Sequence, residues 1–210
     1  MTAQPSPPIR ATFYIDGFNL DHGLREHTKA RSYRWLNLWS LAQNLLTPGH
    51  VLSRVVYFTA VPPWSASKSR RHQTYVDALK TLGIEVVAGR FQKDQRRCHA
   101  ACGQFFDVYT EKLTDVHIAT SILRDGVAGS FDWAYLMSGD ADQAPTIRTL
   151  HDMAPGKRVH VILPPRRESA ELRQVADRCT GPLNHRRLKG HLLPDALTIG
   201  SRIIQRPSDW

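Results

Sequence analysis

The stretch Ala11-Thr-Phe-Tyr-Ile-Asp-Gly-Phe-Asn-Leu20 decides the fold of this 210-residue chain. Its first five residues are apolar, aromatic or β-branched, which favours a buried strand. The strand runs directly into Asp16, and Gly17 permits a sharp turn after it. A second stretch, Leu136-Met-Ser-Gly-Asp-Ala-Asp142, has the same form, because an apolar strand again ends in glycine and acids.

The rest of the chain alternates between strand and helix patterns. Apolar runs predict strands at about residues 11–15, 54–61, 84–88, 133–137 and 158–163. Apolar residues at helical spacing predict helices at about 35–46, 68–82, 110–124, 144–153 and 169–179. Residues 89–107, rich in Arg, Lys, Gln and Cys, are expected to form a loop. This alternation predicts an α/β fold with a parallel sheet covered by helices on both faces.

Composition and charge limit the classes of function. Lys and Arg total 28 against 19 Asp and Glu, a net charge of +9. This excess favours a polyanionic partner such as nucleic acid, although a generally basic protein is the alternative. With three cysteines, no run of ~18 apolar residues and a Pro-rich start, we expect a cytoplasmic protein without a membrane partner. Residues 1–10 are expected to form a flexible tail, and residues 183–210 an exposed basic C-terminal extension.

Four aspartates from three segments form the candidate site. Asp16 and the pair Asp140 and Asp142 follow strands, and open α/β sheets bind ligands at the carboxyl ends of their strands. Asp115 lies on the predicted helix 110–124. Carboxylates that converge repel one another unless a cation or a proton compensates, and such hard oxygen ligands suit Mg²⁺ or Mn²⁺. For any single strand-end acid, a role in a turn or a helix cap is the alternative.

Four motifs in order resemble the NYN domain family (LabA-like proteins) of the PIN-like nuclease superfamily. Residues 13–20, Phe-Tyr-Ile-Asp-Gly-Phe-Asn-Leu, resemble its opening motif. Residues 111–116, Glu-Lys-Leu-Thr-Asp-Val, resemble its Lys-Gly-Val-Asp-Val helix start. Residues 138–142, Ser-Gly-Asp-Ala-Asp, resemble its Ser-Gly-Asp-Ser-Asp motif, and residues 169–177 resemble its last helix. The order and spacing match over about residues 11–182.

This resemblance implies a fold, an activity and a set of site residues. The fold would be a PIN-like Rossmannoid three-layer domain over residues 11–182, with a central, mainly parallel sheet of about five strands. The activity would be that of a Mg²⁺- or Mn²⁺-dependent ribonuclease. By position, Asp16, Asp115, Asp140 and Asp142 would bind the metal or position the attacking water, and Asn19 would orient Asp16.

The chain departs from the family pattern in three places. Leu113 and Thr114 replace the common Gly-Val, a change expected to be tolerated inside a helix. Ser121 stands where relatives often carry Asp, which would lower metal affinity if that acid supports the metal. Gln143 replaces the usual apolar residue after Asp142. None of these changes removes the four main aspartates.

Basic and aromatic side chains supply candidate contacts to a nucleic acid. Lys112 and Glu111 lie three and four residues before Asp115 and would share its helix face, with Glu111 a weaker fifth acid. The candidate contacts to the phosphate backbone are Lys112, Arg70, Arg71, Lys93, Arg96, Arg97, Arg166 and Arg167. The aromatic residues that would either stack on bases or belong to the core are Tyr75, Phe91, Phe105 and Tyr109.

Two cysteines raise the alternative of a structural metal. Cys98 and Cys102, with His99 beside the first, could contribute zinc ligands. Their spacing is not that of a standard zinc knuckle, and the chain has no second cysteine pair. Zinc at Cys98 and Cys102 is therefore not expected.

Two functions of different classes follow. The leading hypothesis is a metal-dependent endoribonuclease acting on RNA, with single strands favoured. The alternative is a non-catalytic RNA-binding or nucleic-acid-binding module on the same fold, to which Ser121 and Gln143 give weight; it predicts salt-sensitive binding without cleavage. A phosphatase or phosphotransferase ranks lower, because it would require a second acid two residues after Asp16, where Phe18 stands.

Overall fold

The computed structural model describes residues 7–27, 31–98 and 102–210. The strands are β1 Ile9–Asp16, β2 His50–Thr59, β3 Glu85–Ala88, β4 Arg90–Arg97, β5 Phe105–Lys112, β6 Trp133–Met137, β7 Arg158–Ile162, β8 Arg178–Thr180, β9 Ala196–Ile199 and β10 Arg202–Gln205. The α-helices are α1 Gly17–His27, α2 Leu38–Leu45, α3 Ala66–Thr81, α4 Thr114–Val127, α5 Ala144–Met153, α6 Ala170–Val175 and α7 His185–Lys189. Short 3₁₀ turns lie at Arg31–Arg34 and Ala141–Gln143. None of the helices in this part of the chain is long and apolar enough to cross a bilayer.

The centre of the fold is a six-stranded parallel sheet in the order β3-β2-β1-β6-β7-β8. The predicted α/β fold with a parallel sheet is therefore confirmed, with six strands rather than about five. The additional strand is β8, where the sequence predicted a helix continuing to residue 179. The helix ends at Val175 instead, because Asp177 pairs with Val159 through both its main-chain N–H and its carboxylate. Pairing with the sheet edge thus replaces the last helical turns.

Helices cover both faces of the sheet and make a three-layer domain. Along β1, Phe13 and Ile15 point to the face that α1, α2 and α3 cover. Tyr14 points to the opposite face, which α4, α5 and α6 cover. Each of these three side chains is fully buried. The unbroken apolar run of β1 is the pattern of a parallel strand buried on both faces.

The order of the strands reverses between β1 and β6. Tyr14 lies opposite Leu136 and Ile15 opposite Met137 in the shared register. The next residues, Asp16 at the end of β1 and Ser138 directly after β6, therefore lie side by side at the carboxyl edge of the sheet. In open α/β sheets this reversal point opens a crevice outside the carboxyl ends of the strands, which is where ligands bind.

Residues 89–107, predicted to be a loop, belong mostly to an antiparallel hairpin. Strands β4 and β5 pair from Arg90 opposite Lys112 to Arg97 opposite Phe105, apart from the main sheet. Because no layer buries the whole of either face, polar residues occupy most positions and the alternation that marks a strand is hidden. The helix predicted from residue 110 begins at Thr114. Glu111 therefore lies in β5 and does not share a helix face with Asp115.

Helix α1 was also absent from the sequence prediction, although it connects the first aspartate to the core. It begins directly at Gly17, and Leu20 and Leu24 bury its inner face. Polar residues and glycine fill most of its remaining positions. The apolar stripe is therefore too thin to predict a helix from the sequence.

The two ends of the chain also differ from their predictions. Residues 1–6 of the expected tail lie outside the described residues, while Ile9 and Arg10 already belong to β1. The segment 183–210, expected to be an exposed basic extension, packs onto the core with Leu188 fully buried and Leu193 nearly so. Its basic side chains at positions 186, 187 and 189 are exposed as expected. The buried residues are spaced too irregularly to show a helical or strand period.

Buried His160 makes the stability of the fold depend on pH. Burial, together with the nearby charge of Arg178, lowers the pKa of His160 to about 4. In the unfolded chain, the histidine binds a proton near pH 6.5. The contribution of neutral His160 to the unfolding free energy is therefore complete above that pH and is lost as the pH falls toward about 4. We expect His160→Gln to weaken the decline in unfolding free energy between pH 7 and pH 5, by at most about 1.4 kcal/mol per pH unit.

Urea unfolding of both proteins over this pH range measures the difference. Above pH 7.5 the stability gap between them should no longer change with pH, which serves as the internal control. Parallel stability curves between pH 7 and pH 5 would contradict the assignment of a neutral His160 in the folded state.

Candidate active site

An open cleft of about 490 Å³ lies where the strand order reverses. Three of the four predicted aspartates line it, namely Asp16, Asp115 and Asp140. Other lining residues of the cleft are Asn19, Glu111, Arg167, Phe18, His22, Glu26 and Thr114. Segments that are far apart in the sequence thus meet at one edge of the sheet.

Asp16 is the most buried acid of the cleft, with 3% of its surface exposed. One carboxylate oxygen accepts a hydrogen bond from the Asn19 main-chain N–H at 2.9 Å. The other accepts one from the Ser138 hydroxyl at 2.9 Å. A buried carboxylate requires such donors, because an unpaired polar group away from water is costly.

Asn19 fixes the two strand ends to each other, as the role of an orienting residue would require. Its main-chain N–H holds Asp16, while its side-chain oxygen accepts from the Gly139 N–H at 2.9 Å. Gly139 leaves no room for a side chain, since an added Cβ would lie 2.6 Å from the Cβ of Arg167. The glycine is therefore explained by this close approach.

Asp140 and Asp142 occupy different positions. The Asp140 N–H donates to the Ser138 hydroxyl at 3.1 Å, and the Asp140 carboxylate caps the following turn by accepting from the Asp142 N–H at 3.0 Å. Asp140 lines the cleft, whereas Asp142 is exposed and outside the lining. Ser138, which donates to Asp16 and accepts from Asp140, was not predicted as a site residue, although it begins the motif at residues 138–142.

Asp115 stands in the first turn of α4, and buried Gln143 holds that turn in place. The Gln143 side-chain amide donates to the main-chain oxygen of Asp115 at 3.4 Å, and its own oxygen accepts from Thr146. Gln143, which departs from the family pattern, thus adds a hydrogen bond to the main chain of a residue that lines the cleft. Ser121 is buried on the same helix and does not line the cleft.

Glu111 both lines the cleft and caps α4. Its carboxylate accepts from the Thr114 N–H at 3.1 Å and from the Thr114 hydroxyl. Leu113, between the hairpin and the helix, has φ of 82°. The expectation that Leu113 lies inside a helix is therefore wrong, because Leu113 forms the left-handed turn before the helix begins at Thr114. A glycine in the family motif suits this conformation.

Among the described residues that line the cleft, carboxylates outnumber positively charged side chains. Burial, with a smaller contribution from the charges of Asp115 and Asp140, raises the pKa of Asp16 to about 6 despite the two donors. Desolvation raises the pKa of Asp115, and the charges of Asp140, Glu111 and Asp142 add to the effect. Arg167 lines the cleft but its guanidinium pairs with Glu26 at 2.8 Å.

The chemistry of these donors fits a hard divalent cation, since carboxylate oxygens are its preferred ligands. Their spacing is looser than that of a formed site. Within residues 7–27, 31–98 and 102–210, no three Asp, Glu, His or Cys residues are close enough to be recognised as a metal-binding group.

The remaining predicted basic residues are not among the residues that line the cleft. Arg71 lines a neighbouring pocket and pairs with Asp209 at 2.9 Å. Lys93 pairs with Asp107 across the hairpin at 2.9 Å. The others are exposed, namely Arg70 on α3, Arg96 and Arg97 near the end of β4, Lys112 at the end of β5, and Arg166 after β7. The structure thus brings Arg167 alone among the predicted basic residues to the lining of the acidic cleft.

Cys98 and Cys102, the two cysteines considered for zinc binding, lie between β4 and β5. Cys98 is half-buried and Cys102 is exposed, and neither lines the acidic cleft. His99 lies outside the described residues. The expectation that Cys98 and Cys102 bind no zinc therefore stays a prediction.

A parallel sheet flanked by helices, with acids gathered at its reversal point, is the arrangement expected of an α/β domain of the PIN-like class. The NYN domain family model matches residues 10–183. The chain therefore belongs to the NYN domain family, and the resemblance predicted from the four motifs is confirmed at this level. The family is generally one of ribonucleases, so membership indicates a nuclease-like function and an RNA-related role. The LabA-like subtype stays a prediction.

Two known proteins are similar to this chain. A solved structure of a protein of unknown function from Vibrio parahaemolyticus covers 90% of this chain and 99% of its own, with a TM-score of 0.58 and 19% identity. That likeness concerns the fold alone. A 6-hydroxy-3-succinoylpyridine 3-monooxygenase from Pseudomonas putida is 26% identical over 76% of this chain. The match spans 61% of the length of that relative, and the activity in its name is said of that protein alone.

The hydrogen bond from the Ser138 hydroxyl should lower the pKa of the Asp16 carboxyl group. Ser138→Ala removes a donor to a buried carboxylate, so we expect the pKa of Asp16 to rise above about 6 and the unfolding free energy to fall by about 1–3 kcal/mol. Carboxyl-carbon NMR titration and urea unfolding measure the two effects. Ser53→Ala is the matched control, because that hydroxyl bonds the Ala11 oxygen outside the cleft. An unshifted Asp16 titration in Ser138→Ala would refute the hydrogen-bond assignment.

Leu113 should be a strained residue whose replacement by glycine stabilises the protein. Leu113→Gly is expected to raise the unfolding free energy by about 1 kcal/mol, because a left-handed residue costs roughly 1–2 kcal/mol unless it is glycine. Val116→Gly is the control, since Val116 is also exposed but lies within α4, and the change should lower the unfolding free energy by roughly 0.5 kcal/mol. Destabilisation by both changes would show that Leu113 is not strained.

Proposed function

We propose that this protein is a metal-dependent endoribonuclease that hydrolyses RNA phosphodiester bonds. The observation that carries the proposal is the convergence of Asp16, Asp115 and Asp140 in one open cleft at the reversal point of the sheet. Membership of the NYN family supports the same activity. An open cleft also suits a cut within a strand, because the RNA can enter and leave on both sides.

Asp16, Asp115 and Asp140 would hold Mg²⁺ or Mn²⁺ in this proposal. A bound divalent cation would supply an activated water and would stabilise the negative charge that builds on the phosphate. Asp142 acts from outside the lining of the cleft, and its charge already reaches Asp115. We therefore assign Asp142 an electrostatic role before a ligand role.

The remaining residues of the cleft would position the acids and the strand. Asn19 and Ser138 hold Asp16 so that its carboxylate keeps one orientation. Arg167 lines the same cleft as the acids and would contact a phosphate when it releases Glu26. The exposed basic residues Arg70, Arg96 and Arg97, together with Lys112 and Arg166, would attract the RNA backbone over a longer range, with single strands favoured.

Cleavage of labelled single-stranded RNA tests the proposal. We expect cleavage with Mn²⁺ or Mg²⁺, none with chelator, and a loss on the order of 100-fold or more in Asp16→Asn and in Asp140→Asn. Asp152→Asn is the matched control, because Asp152 is an exposed acid near the end of α5 and outside the cleft. Circular dichroism would verify that each variant is folded.

The possible outcomes separate the two hypotheses of function. Full cleavage by both folded cleft variants would refute the assignment of the site. Salt-sensitive RNA binding without cleavage in either metal would favour the alternative of a non-catalytic RNA-binding module.

A further inference from the structure

A second pocket, of about 220 Å³, lies next to the acidic cleft, and Phe18 lines both. We call it the aromatic pocket. Pockets for drug-sized ligands span roughly 300–1000 Å³, so this one suits a group of one or two fused rings. Its inner end is closed by buried Tyr57 and Tyr75 beside Trp210.

The outer wall of the aromatic pocket is built from rings that meet edge to face. The ring centroids of Trp64 and Phe91 are 4.7 Å apart at an interplanar angle of 85°, and those of Phe18 and Phe91 are 5.6 Å apart at 88°. Tyr109 supports Trp64 from behind at 4.9 Å. Trp64 keeps 41% of its surface exposed. Exposed rings held by such neighbours provide a platform on which a planar group can stack.

The same pocket carries an excess of positive charge. Four basic side chains and one carboxylate are among its described lining residues, the carboxylate being Asp21. Arg25 and Arg34 both pair with Asp21, and Arg71 pairs with Asp209. Lys68 has no carboxylate partner among the described residues. A planar group with an attached anion therefore matches both the rings and the charge.

The hairpin joins the aromatic pocket to the acidic cleft. Phe91 on β4 lies directly opposite Glu111 on β5. Phe91 lines the aromatic pocket, whereas Glu111 lines the acidic cleft. A polymer with a ring and a phosphate in each repeat could therefore place one ring in the pocket while a neighbouring phosphate enters the cleft.

We propose that the aromatic pocket binds one nucleotide of the RNA strand, with its base stacked on Trp64 beside Phe91 and its phosphate held by Lys68. This inference rests on the proposed function and deepens it, because a base held in the aromatic pocket would lie at a fixed distance from the acids that cleave the strand. The pocket would thus set where the strand is cut relative to that base. Binding to the pocket itself requires no metal.

Nucleotide binding in the presence of chelator tests the inference apart from cleavage. The probes are AMP, GMP, CMP and UMP, together with ribose 5-phosphate, which lacks the base, and the four nucleosides, which lack the phosphate. Titration calorimetry with the full chain should show at least one nucleotide binding more tightly than either fragment. Trp64→Leu should weaken that nucleotide about tenfold, since a base that stacks on an aromatic side chain loses its platform.

Two matched controls separate the pocket from general surface effects. Phe106→Leu removes an exposed ring from the opposite face of the hairpin, and it should leave nucleotide affinity unchanged. Lys68→Met should weaken nucleotides but not nucleosides, whereas Lys80→Met on the same helix should weaken neither. Thermal unfolding of each variant would verify that the fold is kept.

The outcomes distinguish a failure of this inference from a failure of the proposed function. Nucleotide binding that Trp64→Leu and Lys68→Met weaken would support the aromatic pocket even if no RNA is ever cleaved. Absence of binding up to millimolar nucleotide, or binding that both variants leave unchanged, would overturn it even if cleavage depends on Asp16. In a cleaving enzyme, Trp64→Leu should also alter the pattern of cut positions along the RNA, and an unaltered pattern would count against the pocket.

Discussion

The structure depends on a buried carboxyl group at the point where the sheet reverses its strand order. Asp16 leaves β1 beside the end of β6, and two donors from opposite sides of the crevice hold its oxygens. These bonds connect the start of α1 to the turn after β6. More than 100 residues separate Asp16 from Ser138 in the sequence. The hydrogen bond between them therefore joins two distant segments of the chain at the edge of the sheet.

The same arrangement creates the electrostatic problem that a ligand would solve. Several acids face one crevice, and burial and mutual repulsion raise the pKa of two of them. Folding alone would favour neutral side chains at these positions. A polar crevice that costs stability is typical of functional sites, where local rules are broken for the sake of a ligand or a reaction.

The sequence was most informative where burial imposes a simple pattern. The apolar runs of β1 and β6, each leading within a few residues to an acid, predicted both the sheet and the edge at which Asp16 and Asp140 meet. The hairpin was missed because its residues are half exposed, so β4 and β5 show no alternation. Strand β8 was missed because pairing by Asp177 outweighs the helical pattern of the residues before it. Ser138 and Gln143 act through hydrogen bonds to distant segments, which no local pattern in one sequence reveals.

The hairpin of β4 and β5 adds no strand to the main sheet, and this separation has an evolutionary consequence. Changes of length or charge in most of the hairpin carry no penalty in sheet register or in the packing of the two core layers. Asp16, Asp115 and Asp140 lie on the framework formed by the main sheet and its helices, whereas Phe91 and Tyr109 lie on the hairpin. The framework and the hairpin can therefore diverge at different rates, so that descendants of one ancestral domain could inherit a common chemistry and acquire separate preferences for what they bind.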